Sequence, residues 1–343
     1  MKASIAGKRE ERQKRQNYRE RVKAMMSQAI PEKATTMEAS SEKAITTEES
    51  SDKAAIMHSE AVAESVAASV LEDWSNIRDD AIIQQQNAII AEEAEKMPFV
   101  GDKLFQEALS ALAAEYESGS SILKEKIKIL EEKYAAIRRT RGDGNCFFRC
   151  FLFAYLEHVL ESQDKTEVAH MLNKVEECKA TLLGLGYLEF TFEDFVLSFT
   201  DLLEGVIQGT EASISYDELL DRSRNASISN YVVMFFRFVT SAEIKKRADF
   251  FEPFIMGLSN VTVEKFCQSS VEPMGEESDH VQIIALSDAL GVPIRVVYLD
   301  NSSNGPSKLD VNHHDFIPSS TGSSSPNVTM LYRPGHYDIL YPK

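Results

Sequence analysis

Apolar residues in this 343-residue chain recur at helical spacing over most of its length and then, in the C-terminal third, at the two-residue period of β-strands. Val66, Val70, Trp74 and Ile77 share one helical face, and Ile82, Ile83, Ile89 and Ile90 continue the stripe. A helix follows over residues 104–117, and another over Ile122 to Ala136 with Ile127, Leu130 and Tyr134 on one side. Cys146 to Leu160 is apolar enough to be a buried helix, and more helices are expected near 164–185, 192–208, 216–220, 229–239 and 243–256. Ile294 to Leu299, Val328 to Tyr332 and His336 to Tyr341 instead read as strands. Helices first and strands later, without regular alternation, predict an α+β fold and argue against a doubly wound sheet.

The first 60 residues stand apart from this pattern. Residues 1–30 carry nine Lys/Arg against three Asp/Glu and few apolar side chains, and from Pro31 a ten-residue echo runs through Glu32-Lys33-Ala34, Glu42-Lys43-Ala44 and Asp52-Lys53-Ala54. A repeat this polar and short buries no face, so residues 1–60 are expected to be disordered: a basic stretch, then a Ser/Thr/Glu/Ala-rich one. A helical arm is expected over 61–96 and a compact domain over 97–343. The whole chain has net charge −17, so the body after the basic tail is strongly acidic, which argues against nucleic acid as its partner and favours a basic one. Four cysteines without paired short spacing do not make a disulfide framework, so a reducing compartment, cytoplasm or nucleus, is expected. No segment has the length and apolarity of a membrane span, and no secretory signal is expected.

One window carries chemistry: Arg141-Gly142-Asp143-Gly144-Asn145-Cys146-Phe147-Phe148-Arg149. Its two glycines permit a tight loop with exposed N–H groups, and the cysteine follows where the apolar helix begins. A thiol at a helix N-terminus, near an imidazolium, has its pKa drawn below the reference of about 8.5 and becomes a nucleophile. The C-terminal window Arg333-Pro334-Gly335-His336-Tyr337-Asp338-Ile339-Leu340-Tyr341 puts His336 and Asp338 on one strand face, about 6.6 Å apart along the backbone. A carboxylate at that spacing can orient an imidazole, so the two windows together supply a nucleophile, a base and its acidic partner.

These windows, with Glu189-Phe190-Thr191-Phe192-Glu193-Asp194-Phe195, Phe266-Cys267-Gln268, Val271-Glu272-Pro273-Met274 and Glu277-Ser278-Asp279-His280 between them, resemble the otubain family of ovarian-tumour-type (OTU) cysteine deubiquitinases from about residue 80 to the end. The resemblance implies a papain-like/OTU cysteine protease domain, a helical subdomain packed on a small mixed sheet, behind a disordered N-terminal extension. It implies Cys146 as nucleophile, His336 as general base and then acid, Asp338 as the residue holding the imidazole, and Asp143 as a catalytic loop aspartate beside an oxyanion site. Implied too are hydrolysis of ubiquitin chains with a preference for the proteasome-signalling linkage, no cofactor and no metal. The implied partners are ubiquitin and polyubiquitin, and through the arm ubiquitin-conjugating enzymes. The competing reading is a domain that binds a ubiquitin-charged conjugating enzyme and blocks it without cutting. Gly142 departs from the proline several otubains carry there. Cys150 is expected to be a small core residue, with a redox pairing to Cys146 as the alternative, and His280 a structural residue at a loop-to-helix junction.

Overall fold

A computed structural model describes residues 96–102, 108–116, 121–300, 310–318 and 325–343. The expectations for the tail over 1–60, and for the arm over 61–96 except Lys96, fall outside the described residues. Two helices come first, α1 (Leu109–Glu115) and α2 (Ser121–Lys133), followed directly by strand β1 (Tyr134–Arg138). A loop leads to α3 (Cys146–Ser162), then α4 (Lys165–Gly184), α5 (Glu189–Gly205), α6 (Tyr216–Arg224), α7 (Ala226–Lys246), α8 (Ala248–Ser259) and α9 (Val263–Phe266), which runs into a π-helical turn at Cys267–Val271. α10 (His280–Leu290) precedes β2 (Ile294–Tyr298), β3 (His313–Phe316), β4 (Val328–Arg333) and β5 (His336–Pro342).

The five strands form one mixed sheet in the order β1-β5-β4-β2-β3, with only β2 and β4 parallel. Alternation along β5 decides what each sheet face meets. Tyr337 and Ile339 join Met330 and Val296 against Phe147 and Phe151 of α3. Leu340 joins Leu331, Val297 and Ile137 against Leu109 and Leu112 of α1 and Ile127 and Leu130 of α2. Each such aliphatic side chain stabilises the sandwich by about 1.5–3 kcal/mol on full burial. His336 and Asp338 have the parity of Leu340, so they lie on the α1 side of the sheet.

α3 is the central helix, and its two buried charged residues have specific partners. Arg149 is fully buried and binds the loop before α3, while Glu157 binds Arg138 of β1 at 3.2 Å and the hydroxyls of Tyr216 and Tyr341 at 3.0 and 2.7 Å. Buried charges persist only when paired and hydrogen-bonded in this way. At α10, Asp279 caps the helix in a reciprocal box with Gln282, and His280 is its first residue, as expected for a loop-to-helix junction.

Three local expectations are corrected. The helix expected to reach Ala136 ends at Lys133, and Tyr134–Arg138 is an edge strand paired with β5. Ala135 and Ala136 favour a helix intrinsically, but pairing with β5 and burial of Ile137 override that weak preference. The helices expected at 229–239 and 243–256 are divided elsewhere, at Arg247, so that Val239 to Lys246 belongs to one continuous α7. The three strands expected in the C-terminal third are joined by a fourth, β3, on which His313 and His314 lie opposite Val297 and Val296. Among the described residues, no helix is long and apolar enough to cross a membrane.

Candidate active site

The loop Gly142–Asn145 is held from below by two buried arginines. Arg149, one turn into α3, donates to Asp143 Oδ2 from Nε at 2.9 Å and from Nη2 at 2.7 Å, while Asp143 Oδ1 accepts from the Asn145 N–H at 2.9 Å. Arg237 of α7 donates to Asn145 Oδ1 at 2.7 Å and to the carbonyls of Gly144, Val271 and Glu276 at 3.1, 2.8 and 2.7 Å. Burial draws its guanidinium down to about 10, with the charge of Arg149 acting in the same direction and the acidic groups nearby opposing it. Gly144 has φ +69° and a Cβ there would sit 1.7 Å from the Gly275 carbonyl oxygen, so only glycine fits.

These contacts have a consequence for the helix that begins at Cys146. Asparagine is a favoured N-cap, normally accepting from the first N–H groups of its helix. Asn145 makes no such bond; its Oδ1 is taken by Arg237 and by the Gly275 N–H at 2.9 Å. The positive end of α3 is therefore not neutralised by its cap, and Cys146 stands at it with its side chain buried.

His336 reaches the same place from β5. Its Nε2 lies 2.9 Å from Asp338 Oδ1, and the Cys146 thiol interacts with the same ring. A Cβ on Gly142 would stand 3.6 Å from Nδ1, in ordinary contact, so Nδ1 is the nitrogen turned toward the loop. Burial alone would lower the pKa of His336; the hydrogen bonds and charges of Asp338 and Cys146 outweigh it and raise the ring to about 10. Asp338 is fully buried and also accepts from the Thr140 N–H at 2.9 Å and from Arg333 Nη2 at 2.6 Å, with Arg139 Nη1 at 3.6 Å. Burial pushes its carboxyl up, but His336, Arg333 and Arg139 hold it below its ordinary value.

Cys146, His336 and Asp338 are thus brought together from α3 and β5. Asp143 occupies the same loop, with its carboxylate committed to Arg149 and the Asn145 N–H. Among the described residues no acceptor is found for the N–H groups of Gly144 and Cys146, which leaves them available to an oxygen carrying negative charge. Arg149, Arg237, Arg333, Arg139 and Asn145 received no role from sequence reasoning. A charge inside an apolar run was the available signal for Arg149 and Arg237. Cys150 is fully buried, donates to the Tyr337 carbonyl at 3.4 Å, and has a pKa raised well above the ordinary thiol value by burial and by neighbouring negative charge. All four cysteines are free thiols.

The sequence profile of the family described as Peptidase C65 Otubain matches residues 92–342. An Arabidopsis thaliana protein called ovarian tumor domain-containing deubiquitinating enzyme 1 is 61% identical over 288 residues, covering 82% of this chain and 92% of its own length. Human ubiquitin thioesterase OTUB1 is 43% identical over 263 residues, covering 77% of this chain and 90% of its own length. A solved complex of ceOTUB1 with ubiquitin aldehyde and UBC13~Ub superposes with a TM-score of 0.66 at 33% identity, covering 76% of this chain and 99% of that one. By this match, over a segment that contains both windows and every element of the sheet, the chain belongs to the otubain family of peptidases.

Proposed function

We propose that this otubain is a cysteine-type deubiquitinase that hydrolyses the isopeptide bond between the C-terminus of ubiquitin and a substrate lysine. The observation that carries the reading is the Cys146–His336–Asp338 arrangement at the uncapped end of α3. Cys146 as thiolate attacks the terminal carbonyl carbon of ubiquitin, and the oxyanion is met by the N–H groups of Gly144 and Cys146. His336, protonated, gives its Nδ1 proton to the departing lysine amine as the C–N bond breaks, leaving a thioester on Cys146. It then takes a proton from water, whose oxygen attacks the thioester, and the product is a free ubiquitin carboxylate with the thiolate restored. Asp338 keeps Nε2 engaged so that Nδ1 faces the sulfur. Asp143 acts through the loop, by fixing Asn145 and the N–H groups on either side of it.

The burial of Cys146 suits a slender, flexible C-terminal tail better than a bulky substrate segment. The relatives are called deubiquitinating enzyme and ubiquitin thioesterase, and the solved neighbour holds ubiquitin aldehyde. The finer expectation is a preference for the chain linkage that marks proteins for the proteasome. The test is a panel of differently linked diubiquitins incubated with wild type and Cys146→Ala and read by gel. Single ubiquitin should appear with wild type only, and earliest from that linkage; equal rates on all linkages would remove the preference.

The same solved neighbour also carries a ubiquitin-charged conjugating enzyme, which favours a second reading in which the domain binds such a conjugate and blocks chain growth. If so, Cys146→Ala slows chain synthesis in a reconstituted reaction as well as wild type does. The acting compartment is proposed to be cytoplasmic or nuclear, in keeping with four free thiols, and a fluorescent fusion found in the secretory pathway would contradict it.

A further inference from the structure

Asp338 is a fully buried carboxylate whose two oxygens are used differently. Oδ1 serves the reaction side, accepting from the Thr140 N–H and facing His336 Nε2, each at 2.9 Å. Oδ2 faces away, toward Arg333 Nη2 at 2.6 Å and Arg139 Nη1 at 3.6 Å. Both arginines continue to one further carboxylate. Glu115, the last residue of α1 and nearly half exposed, lies 3.2 Å from Arg333 Nη1 and is bonded to Arg139 Nη2.

We propose that Arg333, with Arg139 beside it and Glu115 behind both, is a positioning residue of the reaction: it sets the Asp338 carboxylate against the His336 ring and ties that setting to the end of α1. The proposal rests on the reading of Cys146, His336 and Asp338 as the reacting group and goes beyond it, because Arg333, Arg139 and Glu115 act on that group only through Asp338. The charges explain the device. Two guanidinium groups and two carboxylates compensate one another, so an imidazolium–thiolate pair can form beside a cluster of no net charge. A lone buried carboxylate would be costly in its charged form and free to rotate; a fork donating to Oδ2 leaves Oδ1 for the ring.

The charged groups on the His336 ring are Asp338 of its own strand and Cys146 from α3; Arg333, paired with His336 across the Pro334–Gly335 turn, and Arg139, just past β1, reach it through Asp338, and Glu277 from the segment before α10 lies against Gly335. Glu277 places its Oε1 3.4 Å from where a Gly335 Cβ would be. Losing Arg333 has two opposed effects on the ring. The lost positive charge alone would let His336 hold its proton to higher pH, whereas an Asp338 carboxylate freed to turn away gives up its 2.9 Å contact with Nε2 and makes the ring release its proton at lower pH. A positioning role predicts that the second effect wins in Arg333→Met; an ion-pair cluster acting through charge alone predicts the first.

The experiment is an NMR titration of the His336 ring proton in the full chain, assigned by its absence from His336→Asn, with kcat and KM on diubiquitin measured beside it. Expected are a fall of about half a pH unit or more in Arg333→Met, and a smaller fall in Arg333→Lys, which keeps the charge but not the fork. A tenfold or larger loss of kcat in Arg333→Met, with KM within about twofold and partial recovery in Arg333→Lys, is the expected kinetic companion. A titration that stays in place or rises in Arg333→Met overturns the proposal. Should Arg333→Met fail to fold, Arg333→Lys decides the matter alone, because with the charge kept only a lost setting of Asp338 lowers the ring, and an unmoved titration overturns the proposal. Wild type that does not cut diubiquitin would sink the functional reading while leaving the titration readable, so the two failures are told apart.

Discussion

Arg237 Nη2 lies 2.7 Å from the side-chain oxygen of Asn145, the residue immediately before the candidate nucleophile, although the two are 92 positions apart in sequence. That bond diverts Asn145 from capping α3 and anchors the loop to α7 and to the Gly275 segment. Removing it should therefore affect both stability and chemistry. Arg237→Leu leaves several buried acceptors without their donor, and a loss of about 3 kcal/mol in unfolding free energy is expected from urea denaturation. Where the variant stays folded, kcat should fall with little change in KM, because the defect lies in the loop and not in a ubiquitin-binding surface.

The two glycines of the loop should behave differently. Gly144→Ala puts a methyl group 1.7 Å from a carbonyl oxygen at a φ that alanine avoids, and the loop must move. A cost of about 2 kcal/mol in stability and about a hundredfold in kcat is expected, since small displacements at a reacting group are expensive. Gly142→Ala meets only the His336 ring, Nδ1 at 3.6 Å and Cε1 at 3.9 Å, and should retain activity within about threefold. Equal losses in both variants, measured on one diubiquitin, would show that the loop is not held as described.

Brief treatment of the native protein with iodoacetamide, followed by peptide mapping, should label Cys146 first. Burial lifts Cys178 to about 12 and Cys267 to about 11, and Cys150 is raised well above an ordinary thiol, so none of the three forms a thiolate near neutral pH. Cys150→Ala should keep activity within about threefold; a large loss would give that sulfur a part in the reaction.

Stability should carry the signature of the His336 pair. The ring titrates near 6.5 when unfolded and about 10 when folded, so its contribution is complete below 6.5 and fades as pH climbs through 10. Asp338, held below its unfolded value of 3.8, contributes above that value and loses its part on acidification. The difference in urea midpoint between wild type and His336→Gln should thus be widest near about pH 6 and narrow toward about pH 10. A difference that widens in alkali would contradict the raised ring.

Much of this site is legible in the sequence, and the reasons are local. A Gly-Asp-Gly-Asn loop ahead of an apolar helix places Cys146 at a helix start. Period-two alternation places His336 and Asp338 on one face, and a tight Pro334–Gly335 turn pairs His336 with Arg333. What escaped depends on contacts far apart in sequence. Tyr134–Arg138 has no stop signal between it and α2, and only β5 makes it a strand. Glu115 and Arg333 are 218 positions apart, and nothing in either neighbourhood announces that they meet. The direction of the Asp143 side chain, toward Arg149 rather than to an oxyanion site, is likewise decided by which buried cation needs a partner.

The most direct measurement is capture of the reacting atom with ubiquitin bearing a C-terminal electrophile, followed by mass-spectrometric mapping of the adduct. One ubiquitin should be found on the sulfur of Cys146, with no adduct in Cys146→Ala and slow formation in His336→Asn. An adduct on Cys150, Cys178 or Cys267, or full-rate capture by Cys146→Ala, would contradict the account.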